Sequence, residues 1–124
     1  MTRGTDLEKR TEKSLVETGY LVHRTHNSAP VFSHGRWVSP AKNDILGAFD
    51  CLAIHQERVP RLVQSTTLSH ISHKRKKIDT IVPFRVAHVR IEVWGWYKVK
   101  GRWHARIWLR SGPSEWVEMG EGEI

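Results

Sequence analysis

The sequence contains very little cysteine: Cys51 is the single one in 124 residues. One thiol cannot form an internal disulfide or build a thiolate metal cluster. The HExxH pattern of zinc hydrolases is also absent from a chain with eight histidines. These absences favour a protein of a reducing, intracellular compartment, and we expect it in the cytoplasm.

Long hydrophobic runs are missing as well. No segment approaches the roughly 20 apolar residues that cross a bilayer, and the first residues, MTRGTDLEKR, lack the apolar centre of a secretory signal. We therefore expect a soluble protein with no membrane partner. A chain of 124 residues can bury one modest core but not two ordinary ones, so one domain is expected over residues 1–124.

Acidic residues are outnumbered by basic ones. The sequence has 20 Lys and Arg against 13 Asp and Glu, which gives a formal net charge of +7 and an isoelectric point near 10.0. Such an excess favours a polyanionic partner, chiefly nucleic acid or an acidic membrane surface, although a generally basic surface is the alternative.

The order of local patterns predicts an α/β fold with a mixed central β-sheet flanked by helices. Capping residues and a sparse apolar stripe predict a first helix at residues 6–18, stopped by Gly19. A polar stretch at residues 26–43 predicts a long loop or irregular hairpin, and the acidic tail after about residue 111 is expected to fray. The other predicted elements are strands at 20–24, 45–55, 61–66, 84–97 and 103–109 and a helix at 68–78.

Two of these predicted strands place polar groups side by side. Asp50 lies inside the apolar segment 45–55, and Gln64, Ser65 and Thr66 end the strand that follows. A carboxylate is costly to bury unless its charge is used, so Asp50 is a candidate for a site; a structural, hydrogen-bonded carboxylate is the alternative. A regular strand through Asp44 and Asp50 would put both on one side, which makes Asp44 a possible accessory ligand or simply a turn residue.

Several segments together resemble one family. RGTDLEKRTEKSLVETGYLVHRTHNS is similar to the start of archaeal-type Holliday junction resolvases and their phage relatives. FDCLAI resembles the aspartate-bearing strand of the PD-(D/E)XK nuclease superfamily, and LVQSTT stands where its (D/E)XK strand is expected. The similarity runs from Gly4 to about Leu109, and its value lies in the ordered set. It implies a restriction-endonuclease-like core.

The resemblance also implies roles for individual residues. Glu8 and Asp50 would be ligands of a divalent metal, Mg²⁺ or else Mn²⁺, with Gln64 at the second acidic position and Thr66 at the lysine position. A glutamine oxygen can coordinate Mg²⁺, more weakly than a carboxylate. Glu8 has an alternative role as a favourable charge at the N-terminus of a helix.

Thr66 cannot supply the positive charge of a lysine. The next predicted helix carries basic residues that could reach back, and we expect Lys77 rather than Lys74 to do so. The alternative is that this basic run is a solvated face that contacts phosphates.

Six tryptophans are a further unusual feature. Four of them lie among cations in the last predicted hairpin, which suits stacking on unpaired bases; packing of the sheet on a helix or a dimer interface is the alternative. Alternation places Arg90, Trp94, Trp96 and Lys98 on one face. The residues predicted to bind DNA are Arg24, Lys74, Arg75, Lys76, Lys77, Trp96, Lys98 and Arg102.

The resemblance predicts a metal-dependent, structure-selective DNA endonuclease that resolves four-way or other branched junctions by phosphodiester hydrolysis, in DNA recombination and repair. It implies a homodimer, because a junction needs two symmetric incisions, and the host cytoplasm if the chain is phage-encoded. Two alternatives stay open. One is a catalytically inactive nuclease-fold protein that binds DNA or serves as an assembly subunit, and the other is a nuclease acting on duplex or single-stranded DNA.

Overall fold

Three stretches of the chain, residues 3–25, 31–38 and 44–119, are described by the structure, a computed structural model, with side chains described at 6–25, 34–35 and 44–119. Within these stretches the helices are α1, Arg3–Glu17, and α2, Ile71–Ile81, the latter preceded by a 3₁₀ turn at Leu68–His70. The strands are β1 Leu21–Arg24, β2 Val31–Ser33, β3 Arg36–Val38, β4 Cys51–Ile54, β5 Arg61–Thr67, β6 Arg90–Val99, β7 Arg102–Gly112 and β8 Glu115–Glu118.

Six of the described strands form one sheet in the order β1-β4-β5-β6-β7-β8, and β2 and β3 form a separate hairpin. Strands β5 and β6 are parallel, while every other neighbouring pair in the sheet is antiparallel. Parallel strands need a long crossover, and α2 supplies it here. The predicted α/β fold with a mixed sheet and helices is confirmed.

Some predicted boundaries are wrong. Residues 45–49 are not strand: Ile45 and Phe49 close a turn through a single bridge, with Leu46 at φ 54° and Gly47 at φ 71°. The strand predicted at 84–97 begins only at Arg90. The tail does not fray directly after Ser111, because β8 pairs with β7. Residues 26–30, 39–43 and 120–124 lie outside the described part.

The two faces of the sheet each pack against one helix. Leu7 and Leu15 of α1 pack on a cluster that contains Trp94 and Trp96. On the other face, Ile71 and Ile78 of α2 pack in a second cluster, the other members of which are Ala48, Phe49, Ile91 and Val93. Trp94 and Trp96 are 0% and 7% exposed, so they pack the sheet against a helix, which is the alternative the sequence left open.

Two short turns follow from local chemistry. The end of α1 is closed by Gly19 at φ 95°, and the amide of Tyr20 reaches back to the carbonyl of Leu15 at 3.1 Å; this is the glycine-dependent helix stop that the sequence predicts. Lys100 and Gly101 both have positive φ, and Val99 pairs directly with Arg102. A two-residue turn of this kind matches the twist of the flanking strands.

A buried ion pair holds the first residues of β5 and β6 together. The guanidinium of Arg61 donates to both carboxylate oxygens of Glu92 at 2.8 and 2.6 Å, and both side chains are fully buried. Glu92 also forms an ion pair with Arg90, with 2.8 Å between Oε2 and Nε, and accepts from the indole of Trp94 at 2.8 Å. Arg61 lies over the ring of Tyr20, 5.2 Å from its centre, so the two charges are compensated inside the core.

Arg110 of β7 fixes the end of α2. It donates to Asp79 at 2.7 Å and to the carbonyls of Phe84 and Val82 at 2.9 and 2.6 Å. Burial opposes ionisation of Asp79, but hydrogen bonds from Arg110 and Trp116 outweigh it and lower the pKa of that carboxyl. These contacts set the position of the helix relative to the sheet. No helix in the described stretches is long and apolar enough to cross a membrane.

Candidate functional site

Asp50 lies directly before β4, where the chain leaves the turn at 45–49. Its amide donates to the carbonyl of Val63 in β5 at 3.0 Å, which holds it beside the end of that strand. The residue is 1% exposed, and Oδ2 accepts from the amide of Ser65 at 2.7 Å. The hydroxyl of Ser65 donates to Oδ1 at 3.3 Å. The sequence therefore predicted correctly that these two segments are neighbours.

The environment of Asp50 opposes its negative charge. The pKa of Asp50 is raised to about 8, chiefly by burial and also by the charges of Glu8 and Asp44, while hydrogen bonds from Ser65 act in the opposite direction. Three carboxylates thus influence one another at this place. A cation bound among them would relieve both the burial cost and the repulsion.

Gln64 is the nearest neutral partner of Asp50. Its amide nitrogen donates to Oδ2 of Asp50 at 3.2 Å and to the carbonyl of Ser65 at 3.0 Å. Its oxygen Oε1 is buried and has no hydrogen-bond partner among the residues that the structure describes, although Gln64 lines the cleft. A buried amide oxygen without a donor is costly, and a bound cation or water would satisfy it.

A hydrogen-bond chain connects Asp50 to α1 and β6. The hydroxyls of Ser65 and Thr11 lie 2.7 Å apart, and the indole of Trp96 donates to Thr11 at 2.9 Å. Sequence reasoning missed Thr11, which is fully buried in α1. A threonine placed four residues after Leu7, on the apolar side of the helix, was the available signal.

An open cleft of about 310 Å³ is lined by Gln64 and Ser65, the hydrogen-bond partners of Asp50, while Asp50 itself lies behind them and is not a lining residue. Its walls bring together Glu8 from α1, Asp44 from the turn, and Thr66 from β5. The remaining lining residues are Leu7, Gln64, Ser65, Thr67, His70, His73 and Lys74. Asp44 lies near Asp50 because of a turn and not along a regular strand, so the predicted strand through both residues is wrong, while their predicted proximity holds.

The basic run of α2 is divided between two surfaces. Of the two lysines considered for the missing charge, Lys74 lines the cleft, whereas Lys77 is not among the cleft-lining residues. Arg75 and Lys76 lie on another side of the helix, near Asp79 and Trp116. Lys74 is therefore better placed than Lys77 beside this cleft, and the role of either lysine stays a prediction.

Arg24, predicted to bind DNA, lies between two glutamates of α1. Its guanidinium is 3.9 Å from Glu8 and 3.8 Å from Glu12, and its side chain is only 11% exposed. Arg24 thus offsets part of the negative charge near the cleft. Its contacts with α1 suit the positioning of Glu8 better than a direct contact with DNA.

The other predicted DNA-binding residues have varied surroundings. The guanidinium of Arg75 lies over the ring of Trp108, 4.7 Å from its centre. Lys76, Lys98 and Arg102 are exposed. Trp96 is buried with its indole nitrogen bonded to Thr11, so its ring is not a free stacking surface.

Few ligands of the usual types converge closely. Within the described residues, no group of three or more His, Cys, Asp and Glu side chains is placed to hold a metal ion. The donors that remain for a divalent cation are the carboxylate of Asp50, the unpartnered oxygen of Gln64 and the carboxylates of Glu8 and Asp44 across the cleft. Hard oxygen donors of this kind suit Mg²⁺ or Mn²⁺.

Cys51 follows Asp50 directly but takes no part in the cleft. Burial raises the pKa of the Cys51 thiol to about 12, and the residue packs in the core on the α1 side. It is a small hydrophobic side chain and not a nucleophile.

Comparison with protein-family models, curated proteins and solved structures finds no match to this chain.

Proposed function

We propose that this protein is a metal-dependent DNA endonuclease of the PD-(D/E)XK type that cuts branched DNA, including four-way junctions. The observation that carries the proposal is that buried Asp50 accepts from the amide nitrogen of Gln64, the oxygen of which has no partner among the described residues, beside a cleft that Glu8 and Asp44 line. Phosphodiester hydrolysis needs an activated water and neutralisation of the phosphate oxygens. A bound Mg²⁺ or Mn²⁺ would supply both.

The protein groups would hold that cation and orient the substrate. Asp50, Gln64 and Glu8 are the proposed ligands, with Asp44 as an accessory donor. The hydrogen bonds from Ser65 fix the rotamer of Asp50, and Arg24 lies between Glu8 and Glu12. Positioned carboxylates of this kind lose little entropy when the metal binds.

Lys74 is the proposed source of the missing positive charge. Thr66, at the position where a lysine is expected, is 7% exposed and cannot provide it. Lys74 extends from α2 into the wall of the same cleft. An ammonium group there would stabilise the negative charge that develops on the phosphate as water attacks.

The arrangement of elements fits a restriction-endonuclease-like core. Helix α1, strands β1, β4 and β5, helix α2 and strand β6 follow in that order, and the candidate ligands come from α1, the start of β4 and the end of β5. The net charge of +7 suits a DNA substrate. We further propose a homodimer, because symmetric resolution of a junction needs two active sites.

The test is cleavage of a synthetic four-way junction with Mg²⁺ or Mn²⁺ at about pH 8.5, where Asp50 is ionised. We expect Asp50→Asn and Glu8→Gln to lower the cleavage rate by about 100-fold or more, because each removes a charged ligand. Glu12→Gln is the matched control, since Glu12 lies one turn further along α1 beside the same Arg24. It should cut at nearly the rate of the unmodified protein.

Lys74→Gln and Lys77→Gln form a second matched pair. The first should slow cleavage by about tenfold or more, and the second should leave it nearly unchanged. Equal rates in both variants would remove Lys74 from the mechanism. Failure of the unmodified protein to cut any junction or duplex would reject the enzyme.

A catalytically inactive DNA-binding protein is the second candidate. It is favoured by the absence, within the described residues, of three closely grouped metal-binding side chains and by the neutral Gln64 and Thr66. Junction binding without cleavage, and without any rise in melting temperature on addition of Mn²⁺, would establish this function instead.

A further inference from the structure

A second groove lies next to the cleft, where the β6–β7 hairpin extends past the end of β5. Thr67, the last residue of β5, pairs with Trp96, whereas β6 continues to Val99. The step between them forms a groove of about 560 Å³, within the usual range of ligand pockets, about 300–1,000 Å³. Its lining residues are Thr67, Leu68, Ser69, His70, Trp96, Tyr97, Lys98 and Trp103.

The groove and the cleft are continuous. Thr67 and His70 line both of them, and their side chains are joined by a hydrogen bond of 2.7 Å between Oγ1 and Nδ1. A polymer held in the groove would therefore lead directly to the candidate metal ligands. This continuity links the groove to the chemistry of the cleft.

The walls of the groove combine aromatic rings with cations. Trp103 is half-buried, and Arg10 and Lys98 lie over its ring at 4.6 and 5.1 Å from the centre. Tyr97, also half-buried, borders the groove, but its ring lies on the opposite face of β6 from Trp103 and stacks with His104, with 5.6 Å between the ring centres. Exposed Lys100 and Arg102 continue the positive charge around the hairpin turn.

We propose that this groove binds an unpaired DNA strand that leads into the cleft. Bases would stack against the ring of Trp103, while Lys98 and the cations of the hairpin turn would contact phosphates. Aromatic stacking needs bases that have left the duplex, and the cations complement a phosphate backbone. The link to cleavage rests on the proposed nuclease, and it makes branched DNA with a single-stranded arm the preferred substrate.

Binding of a fluorescent oligothymidylate of about 12 nucleotides, in EDTA, tests the groove without any need for catalysis. We expect Lys98→Gln and Trp103→Leu each to weaken binding by about fivefold or more, because a stacked base or a phosphate contact is lost. Lys13→Gln, at an exposed position of α1, and Trp108→Leu, on the opposite face of the sheet, are the matched controls. They should bind within about twofold of the unmodified protein.

Trp103 also packs against the core on the α1 side, so its variant is compared by urea unfolding with Trp108→Leu. Lys98 is exposed, and Lys98→Gln keeps the test valid if Trp103→Leu fails to fold. Unchanged binding in Lys98→Gln, or equal losses in the groove variants and their controls, would overturn the proposal.

Cleavage separates this proposal from the nuclease itself. With Mg²⁺, the unmodified protein should cut a junction that carries a single-stranded arm faster than a fully paired one, and Lys98→Gln should remove that preference. Binding that depends on Lys98 without any cleavage would support the groove and reject the nuclease. Cleavage with no preference for the single-stranded arm would support the nuclease and reject the groove.

Discussion

At the residue scale, Asp50 is a carboxylate whose burial is costly and whose charge a metal ion could compensate. It is buried, accepts hydrogen bonds from Ser65 and Gln64, and has a pKa raised to about 8. Without a cation the protonated form is favoured at neutral pH, so binding of a metal must displace a proton. Metal affinity should therefore rise with pH up to about pH 8.

Replacing Asp50 with Asn should stabilise the metal-free protein at alkaline pH. Because the folded pKa, about 8, exceeds the ordinary value of 3.8, the folded state holds a proton that the unfolded state releases. That contribution is present below about pH 4 and is lost as pH rises through 8. At about pH 8.5 in EDTA, we expect Asp50→Asn to be more stable by roughly 2–5 kcal/mol in urea unfolding.

Near pH 4 the same variant should differ far less from the unmodified protein, because Asp50 is then neutral in the folded state and only about half ionised in the unfolded state. Glu17→Gln, which removes an exposed carboxylate at the end of α1, is the control and should show little change at either pH. A stability gain that does not depend on pH would contradict the assignment of the buried charge.

The sequence could predict the partners of Asp50 along the chain but not all of its surroundings. Gln64 and Ser65 follow from adjacent strands, since residue order determines which strand ends meet. The contact of Thr11 with Ser65 depends on how α1 rotates over the sheet. The choice between Lys74 and Lys77 depends on the 3₁₀ turn at Leu68–His70, which delays the start of α2 to Ile71 and shifts its facing residues.

At the scale of elements, the start of α2 packs closely on β6 at Gly95, where there is no side chain to separate them. A Cβ added at Gly95 would lie 2.7 Å from Cγ1 of Ile71 and 3.2 Å from Cα of Leu68. Gly95→Ala should therefore displace the start of α2 and cost about 2 kcal/mol of unfolding free energy in urea. Because Lys74 lies in that first turn, slower cleavage should accompany the loss.

Gly112→Ala is the matched control, since its Cβ would meet only the flexible carboxylate of Glu115, at 3.2 Å. Adding Ile71→Ala to Gly95→Ala should recover part of the stability relative to the two single changes combined. Additive losses would show that the two residues do not compete for space.

Elements with strong local signals were predictable. Gly19 ends α1, and Lys100–Gly101 turns the β6–β7 hairpin, because both depend on backbone chemistry of a few residues. Strand β8 is polar and gains its order from pairing with β7, which no local pattern reveals. The alternation in β6 was predicted correctly, but α1 covers the face of Trp94 and Trp96, and coverage is a tertiary property.

At the scale of the whole molecule, arginines and lysines are used differently. Arginines supply the ion pairs with Glu92, Asp79 and Glu118, and two of these pairs lie in or near the core. Exposed lysines lie on α2, at Lys76, and at the tip of the β6–β7 hairpin, at Lys98 and Lys100, while Lys74 and Lys77 are half-buried. The tip of the β6–β7 hairpin therefore offers a partner exposed positive charge beside the groove.

Binding to junction DNA should consequently fall steeply with salt. If the protein contacts about four phosphates, its affinity should fall by about 100-fold when the salt concentration rises from roughly 50 to 200 mM. Lys98→Gln should reduce the slope of log affinity against log salt by about one, whereas Lys13→Gln should leave it unchanged. Fluorescence anisotropy at several salt concentrations measures this, and a salt-independent affinity would contradict an electrostatic interface.

The buried pair of Arg61 and Glu92 has a consequence for assembly of the sheet. A shift of one residue in the register of parallel strands β5 and β6 would turn the side chains of the shifted strand to the opposite face of the sheet. A displaced Glu92 would then leave two charges unmatched in the core, at a cost of several kcal/mol. The pair thus favours the correct register of β5 against β6 at the start of β5. The same register determines the positions of Gln64, Ser65 and Thr66 further along the strand.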